Sequence, residues 1–181
     1  MKDTAGMDTD SVLDIAKSYA EKHDVSDVVV ATTSGETGAK AAALFYEGFN
    51  LVAVTHATGF QKPGIQEMEE EHRRRIVENG GAVFTGPMIF HTWNDFYRKQ
   101  RDSIMPTTII ADTLRMFGQG TKVAVEIAAM AADAGHIPPG EVLSIAGTGH
   151  GADTVLHIDA AHSKMLMDTH IMGVVAKPTE W

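Results

Sequence analysis

Apolar and polar residues recur along the chain with two spacings, and each spacing predicts a different kind of element. Short aliphatic and β-branched runs are typical of strands buried on both faces, and they occur at Asp27–Ala31, Leu51–Val54, Ala82–Phe84, Glu141–Ala146, Asp153–Ile158 and Ile171–Ala176. Helical spacing predicts a first helix capped by Asp10 or Ser11, followed by helices over Gly38–Phe49, Ile65–Glu78, Ile109–Phe117 and Thr121–Ala134. Residues 85–107 are expected to be the least regular part of the chain.

The order of these elements predicts the fold class. Strands that alternate with helices indicate an α/β fold, here a three-layer α/β/α arrangement with a mostly parallel sheet. The segment Thr154–Ile158 alternates like a strand, so the glycine-rich turn before it is expected to join two antiparallel strands in a hairpin. At 181 residues, without an internal repeat or linker, the chain is expected to form one domain over residues 1–181.

Composition narrows the possible partners. Apolar residues make up 44% of the chain and its longest apolar runs are strand-sized, so we expect a globular protein with no membrane partner. A net charge of −9 argues against nucleic acid, whose phosphates are bound by clustered Lys and Arg. The N-terminus shows no secretory signal and cysteine is absent, which predicts a cytoplasmic location. The nine histidines lack helical metal-ligand spacing, so no metal is expected.

The strongest local signal lies between the first buried strand and the helix after it, in the loop Thr32, Thr33, Ser34, Gly35, Glu36 and Thr37. The first amides of a helix lack internal partners and carry the positive end of the helix dipole, which favours phosphate there. The hydroxyls of Ser34 and Thr37 would add donors, and Gly35→Val is expected to weaken ligand affinity more than stability. An ordinary turn, with Ser34 or Thr37 as the helix N-cap, fits the same pattern.

A second glycine-rich loop and the start of the strand after it comprise Gly147, Thr148, Gly149, His150, Gly151, Ala152, Asp153 and Thr154. Its G-x-G spacing precedes a strand rather than a helix, which disfavours a dinucleotide site of the Rossmann type. The loop is expected at the same sheet edge as Thr32–Thr37, where open α/β sheets bind ligands. It is either a plain hairpin turn or a second ligand loop.

These two loops resemble those of the C-terminal α/β domain of pyruvate kinase. The motif T-x-S-G-x-[ST]-A of that domain matches Thr32–Thr37, with Gly38 before Ala39, and a glycine-rich loop recurs at Gly147–Gly151. In the kinases the two loops hold the phosphates of fructose 1,6-bisphosphate. Here Glu36 replaces the usual arginine, which argues against that ligand. The kinase catalytic barrel is missing from the sequence, which excludes phosphoryl transfer from phosphoenolpyruvate.

Further segments extend the resemblance: Thr55–Phe60, Val125–Ile127, Met130–Asp133, Gly151–Thr154 and Ala161–His162. With them the chain is similar, over nearly its whole length, to a family of small archaeal and bacterial pyruvate-kinase-domain-like proteins. That resemblance implies a binder of flavin mononucleotide (FMN) without an established reaction. It would place the phosphate on Thr33–Thr37 with help from Gly149–Thr154, and the flavin ring near His56–Phe60.

The loop after the second buried strand and one acidic residue complete the candidate site. The groups expected to bind or cover the flavin are those of Thr55, His56, Thr58, Gly59 and Phe60. A loop histidine and a core phenylalanine without ligand contacts are the alternative. Glu126 either forms an exposed i, i+4 ion pair with Lys122 or faces the ligand as a carboxylate.

Three functions remain open on this sequence. The first is binding of FMN or a similar phosphorylated molecule, and the second is a flavin-dependent oxidoreductase with Glu126 or His150 as proton donor. The third is a regulatory module that senses a sugar phosphate. The aromatic and basic segment Phe90–Arg101 is either a flap over the ligand or a subunit contact, and we expect a homo-oligomer.

Overall fold

A computed structural model describes residues 1–180. Its strands are β1 (Lys2–Asp3), β2 (Asp27–Ala31), β3 (Asn50–Val54), β4 (Ala82–Phe84), β5 (Gly140–Ala146), β6 (Thr154–Ala160) and β7 (His170–Lys177). Its helices are α1 (Thr9–His23), α2 (Glu36–Leu44), α3 (Glu70–Glu78), α4 (Thr92–Arg101), α5 (Pro106–Arg115) and α6 (Gln119–Asp133), and a 3-10 helix (Ser163–Asp168) precedes β7. The single domain predicted from the sequence extends to Trp181, which lies outside the described residues.

One seven-stranded sheet organises the fold, with the strand order β1-β7-β6-β5-β2-β3-β4. β6 is antiparallel to both β5 and β7, and the remaining neighbours are parallel. The prediction of a mostly parallel sheet with an antiparallel hairpin strand is therefore confirmed. Because β2 and β5 are parallel neighbours, the loops that follow them leave the sheet at the same edge.

Helices cover both faces of the sheet, as the predicted three-layer arrangement requires. On one face, α1, α2 and α3 pack on the sheet and bury Leu13, Phe45 and Ile76. On the other face, α5 and α6 cover the side chains of Val29 and Val52. The three valines of β2 are fully buried because alternate side chains point into the two cores, which explains its continuous apolar run.

Several predicted helix bounds were wrong. The second helix was expected over Gly38–Phe49 but ends at Leu44, because Phe45 and Phe49 pack edge-to-face in the turn beyond it, with ring centroids 5.2 Å apart. The helix expected over Ile65–Glu78 begins only at Glu70, since the Ile65 amide donates to the Lys62 carbonyl in a tight turn. The first helix is capped by Asp8 and not by Asp10 or Ser11.

The segment expected to be least regular contains α4, in which Asn94 is buried while Trp93 and Phe96 are exposed, so its apolar residues do not form the usual stripe toward the core. β1 and the 3-10 helix were not predicted, because both are too short to leave a periodic pattern. Among the helices of residues 1–180, none is long and apolar enough to cross a membrane.

Candidate functional site

A cleft of about 1190 Å³ opens beyond the carboxyl ends of β2 and β5. The loop Thr32–Thr37, apart from buried Gly35, forms one wall and the hairpin loop Gly147–Asp153 forms another. Within the sheet, β2 lies between two strands: β3, which follows it along the chain, is its neighbour on one side, and β5 is its neighbour on the other. Ligand crevices of open α/β sheets occur at such a reversal of strand order, so the fold brings the two predicted loops to the expected place.

The junction between β2 and α2 is partly closed by its own side chains. The hydroxyl of Thr32 accepts a hydrogen bond from the Gly38 amide at 3.2 Å, and the Ser34 hydroxyl accepts one from the Glu36 amide at 3.4 Å. Gly35 is the N-cap of α2, with φ of +98° and no side-chain cap, so neither Ser34 nor Thr37 is the N-cap. Within residues 1–180, the amides of Thr33, Ser34, Gly35 and Thr37 have no hydrogen-bond acceptor. Gly35 is buried and does not line the cleft, so the amides of Thr33, Ser34 and Thr37 remain for a ligand.

The hairpin loop is folded tightly on itself. Asp153 shapes it, because its carboxylate accepts the Thr148 amide at 2.9 Å while its own amide donates to the Ala146 carbonyl at 2.9 Å. A Cβ at Gly147 would lie 2.1 Å from the Gly151 carbonyl oxygen, so only glycine fits there. Thr154 begins β6, is buried and does not line the cleft, in contrast to the seven residues before it.

The N-terminal segment is a wall of the cleft that sequence reasoning missed. Thr4 donates its hydroxyl hydrogen to the Asp153 carbonyl at 2.6 Å, and the Thr9 hydroxyl accepts the Ala152 amide at 3.1 Å. Residues Thr4–Thr9 therefore hold the hairpin loop in position and face the ligand space. No sequence signal pointed to them, because β1 has only two residues and its pairing with β7 is between the two ends of the chain.

The loop after β3 contributes less than expected. His56 lines the cleft, whereas the hydroxyl of buried Thr55 bonds to the Thr85 hydroxyl at 2.7 Å. The Gly59 amide donates to the Ile65 carbonyl, and Phe60 lies against the His56 ring with centroids 4.2 Å apart. Thr58 is also outside the cleft lining, and its hydroxyl is 3.4 Å from the Gln66 amide nitrogen. Of the five predicted residues, only His56 reaches the cleft.

His56 has a partner that the sequence did not indicate. Its Nδ1 lies 3.1 Å from a carboxylate oxygen of Glu67, and Glu67 also lines the cleft. The segment carrying Glu67 continues to Glu69, whose amide donates to the Ser34 carbonyl at 2.9 Å. His72 of α3 contacts the same carbonyl through Nδ1 at 3.1 Å. The β2–α2 junction and the His56–Glu67 pair are therefore parts of one connected wall.

Glu126 lies away from the cleft. It forms an ion pair with Lys122, as one prediction held, but both side chains are buried in α6 rather than exposed. The other carboxylate oxygen accepts the Phe90 amide at 2.5 Å. Because both oxygens are used and Glu126 does not line the cleft, the alternative of a ligand-facing carboxylate is not supported. The pair instead anchors the segment before α4 to α6.

The charges lining the cleft are mostly acidic. Among the described residues that line it, Lys40 is the one lysine or arginine, and there are five carboxylates, those of Asp8, Glu36, Glu67, Asp153 and Glu180. The ammonium group of Lys40 lies 3.8 Å from the Glu36 carboxylate. The Ser11 amide donates a hydrogen bond to the Asp8 carboxylate, which lowers the pKa of Asp8. The first residues of α1, α2 and α6 also line the cleft, so three helix dipoles present their positive ends to it. These dipoles offset part of the acidic charge.

No model of a known protein family matches the chain. Solved structures similar to it include that of O-ureido-L-serine synthase, at 22% identity and a TM-score of 0.33, covering 60% of this chain and 29% of that one. Another is the NH3-dependent NAD synthetase from Campylobacter jejuni subsp. jejuni in complex with the nitrate ion, at 17% identity and a TM-score of 0.33, covering 60% of this chain and 46% of that one. The matched part is less than half of either protein, and likenesses this distant support no function.

Proposed function

We propose that this protein binds a phosphorylated small molecule in the cleft, with FMN as the first candidate. The observation that carries the proposal is the group of acceptor-free amides at Thr33, Ser34 and Thr37, where the β2–α2 junction lines the cleft. A phosphate oxygen satisfies such amides with charge-assisted hydrogen bonds, each contributing about 1.5–3 kcal/mol. Cofactor sites commonly measure about 300–1,000 Å³, so a cleft of about 1190 Å³ is large enough for a mononucleotide.

The residues of the cleft fit FMN in two further respects. The cleft is long enough to include both the β2–α2 junction and His56, whose ring packs against Phe60 at the margin. Its polar lining offers hydroxyl and amide groups to a ribityl chain. Bound flavin would supply redox chemistry. Of the two proton donors suggested for an oxidoreductase, His150 lines the cleft and Glu126 does not. The oxidoreductase and sugar-phosphate alternatives therefore gain no separate support.

Titration of the protein with FMN, followed by flavin fluorescence and calorimetry, tests the proposal. We expect one FMN to bind per chain with micromolar or tighter affinity, and riboflavin, which lacks the phosphate, to bind at least tenfold more weakly. The absence of FMN binding at tens of micromolar would refute FMN as the ligand. A parallel panel of sugar phosphates and nucleotides identifies another phosphorylated ligand, and failure of the whole panel would refute the proposal.

Glu36→Arg tests where the phosphate lies. Glu36 is the first residue of α2, so reversing its charge should tighten FMN binding about three- to tenfold. Glu47→Arg is the matched control, because Glu47 is exposed beyond the other end of α2 and does not line the cleft. Equal effects of the two variants would indicate general charge attraction and contradict a phosphate at this junction.

We also propose that the chain forms a homo-oligomer in the cytoplasm. The oligomer is supported by exposed apolar side chains on α4 and α5 and just after α5: Trp93, Phe96, Ile109, Met116 and Phe117. Four of these five side chains are aromatic or methionine, the types that are enriched at protein interfaces. The cytoplasmic location is consistent with the absence of cysteine from the sequence.

A further inference from the structure

His56 and Glu67 form the only histidine–carboxylate pair among the cleft-lining residues that the structure describes. Nδ1 of His56 lies 3.1 Å from Oε2 of Glu67, and the two side chains are 31% and 20% exposed. Both are therefore shielded enough to hold one geometry while remaining in contact with the ligand space. The His56–Glu67 contact is a separate observation from the acceptor-free amides of the β2–α2 junction, which support the proposed phosphate site.

The pairing determines which ring nitrogen of His56 carries the proton. An ionised carboxylate only accepts hydrogen bonds, so the nitrogen facing Glu67 must be the protonated one. In the neutral imidazole, Nε2 is then an acceptor, because the partner of one ring nitrogen selects the tautomer. Across residues 1–180, Nε2 of His56 has no hydrogen-bond donor. His56, which lines the cleft, thus carries an acceptor without a partner.

The rest of the loop holds this ring in place. The side-chain amide of Gln66 donates to the His56 carbonyl at 3.0 Å, and Phe60 packs on the ring with a centroid distance of 4.2 Å. Phe60 is supported in turn by His91, whose ring centroid is 4.8 Å away. Burial lowers the pKa of His91, which favours its neutral form beside the rings of Phe60 and His56. A ring fixed in this way is pre-organised for one hydrogen bond.

We propose that His56, oriented by Glu67, is a ligand subsite that accepts a hydrogen bond from an N–H or O–H group. The inference rests on the proposed function and extends it. The ligand carries a phosphate for the amides of the β2–α2 junction and, at a distance from it, a hydrogen-bond donor such as a ring imide or a sugar hydroxyl. A ligand whose far end offers only acceptors leaves Nε2 without a partner and is discriminated against.

Two histidine variants test the subsite with FMN as the probe. His56→Phe keeps an aromatic ring against Phe60 but removes the acceptor, and we expect FMN affinity to fall about tenfold. His56→Gln keeps an acceptor oxygen, and we expect it to remain within about threefold of the wild type. Thermal unfolding confirms that each variant is folded. Wild-type affinity in folded His56→Phe would overturn the subsite and leave the phosphate site intact.

A second measurement does not depend on these substitutions. Nitrogen-15 NMR of the histidine rings should show His56 of the unliganded protein with a protonated Nδ1 and an unprotonated Nε2, and FMN should shift the Nε2 resonance. Glu67→Gln should reduce both the tautomer preference and FMN affinity, since a side-chain amide also donates. A protonated Nε2 in the neutral wild-type ring would overturn the inference. Failure of wild type to bind any phosphorylated probe would overturn the proposed function and this inference together.

Discussion

Gly35 shows how one residue serves both the fold and the site. Its φ of +98° lies in the region that side chains avoid, and a Cβ there would lie 2.5 Å from the Cβ of His72. The expectation that Gly35→Val would weaken binding more than stability is therefore replaced by a different one. Any side chain at this position pushes α3 away from the β2–α2 junction, so stability and binding should fall together.

Gly35→Ala should destabilise the protein by about 2–4 kcal/mol, through backbone strain and the clash with His72. Gly48→Ala is the control, because Gly48 has a similar positive φ of +76° and open space around its Cβ position. Strain alone should make the control lose about 1–2 kcal/mol. Denaturant unfolding of the two variants measures both values, and equal losses would show that the His72 contact relaxes easily.

The buried Lys122–Glu126 pair gives a second prediction at this scale. Lys122→Met leaves the Glu126 carboxylate buried without its cation, which should cost about 3–5 kcal/mol in the free energy of unfolding. Adding Glu126→Gln removes the stranded charge and keeps an oxygen for the Phe90 amide, so the double variant should be more stable than Lys122→Met. Denaturant unfolding of the wild type, both single variants and the double variant measures these differences in the free energy of unfolding. A double variant with simply added losses would mean that the two charges do not interact.

Among the elements, α1 depends on a polar cap beside the cleft. Asp8 accepts the Ser11 amide at 2.8 Å, and that hydrogen bond lowers the pKa of its carboxyl group below 3.8. A lowered carboxyl pKa stabilises the folded state at pH values above the unfolded pKa. The contribution is lost as the pH falls through the folded-state pKa.

Asp8→Ala should therefore lower the melting temperature at pH 7, where the wild-type carboxylate is ionised and caps α1. The difference from wild type should shrink as the pH falls below 3.8. Asp8→Asn is the control, because asparagine caps helices without a titrating group: it should lose less than Asp8→Ala at pH 7, and the difference between the two variants should vary little with pH. Melting curves from pH 2 to pH 7 give the comparison; a pH-independent loss in Asp8→Ala would argue against the ionised cap.

The sequence predicted elements best where local pattern and tertiary packing agree. β2, β3 and β5 were found within one residue, since their apolar runs match strands buried between two helix layers. The two glycine loops were placed at one sheet edge because parallel strands end together. Glu67 and Thr4–Thr9 were missed because they reach the cleft through long-range contacts that leave no local pattern. Glu126 was misplaced because periodicity cannot tell a buried face of α6 from a ligand-facing one.

For the whole molecule, charge and shape act together. The chain carries a net charge of −9, yet the first turns of α1, α2 and α6 meet at one cleft. Oriented dipoles thus concentrate positive potential where the overall charge is negative. Because the rest of the surface is mostly acidic, only an anion that contacts the helix N-termini directly is attracted to the cleft. This favours a small ligand that fits the cleft over an extended polyanion.

The apolar surface of α4 and α5 is also a property of the whole molecule. Ile109 and Met116 are 63% and 75% exposed. Ile109 lies in α5 and Met116 follows its last residue; because the two are seven residues apart, they lie on the same side of the helix. Trp93 of α4 is 63% exposed, and the hydroxyl of Thr107 ties the two helices together by donating to Asn94 at 2.6 Å. Association of copies through this surface would remove these side chains from water.

Sedimentation should therefore show wild-type protein as an oligomer of the 19.5 kDa chain at micromolar concentration. Ile109→Arg combined with Met116→Arg should shift it to the monomer, because charged guanidinium groups resist burial without partners. Val77→Arg is the control, since Val77 is 57% exposed on α3, across the sheet from α5. A wild-type monomer would contradict oligomer formation altogether. An oligomer unaffected by the paired substitution but dissolved by Val77→Arg would move the interface to the opposite face of the sheet.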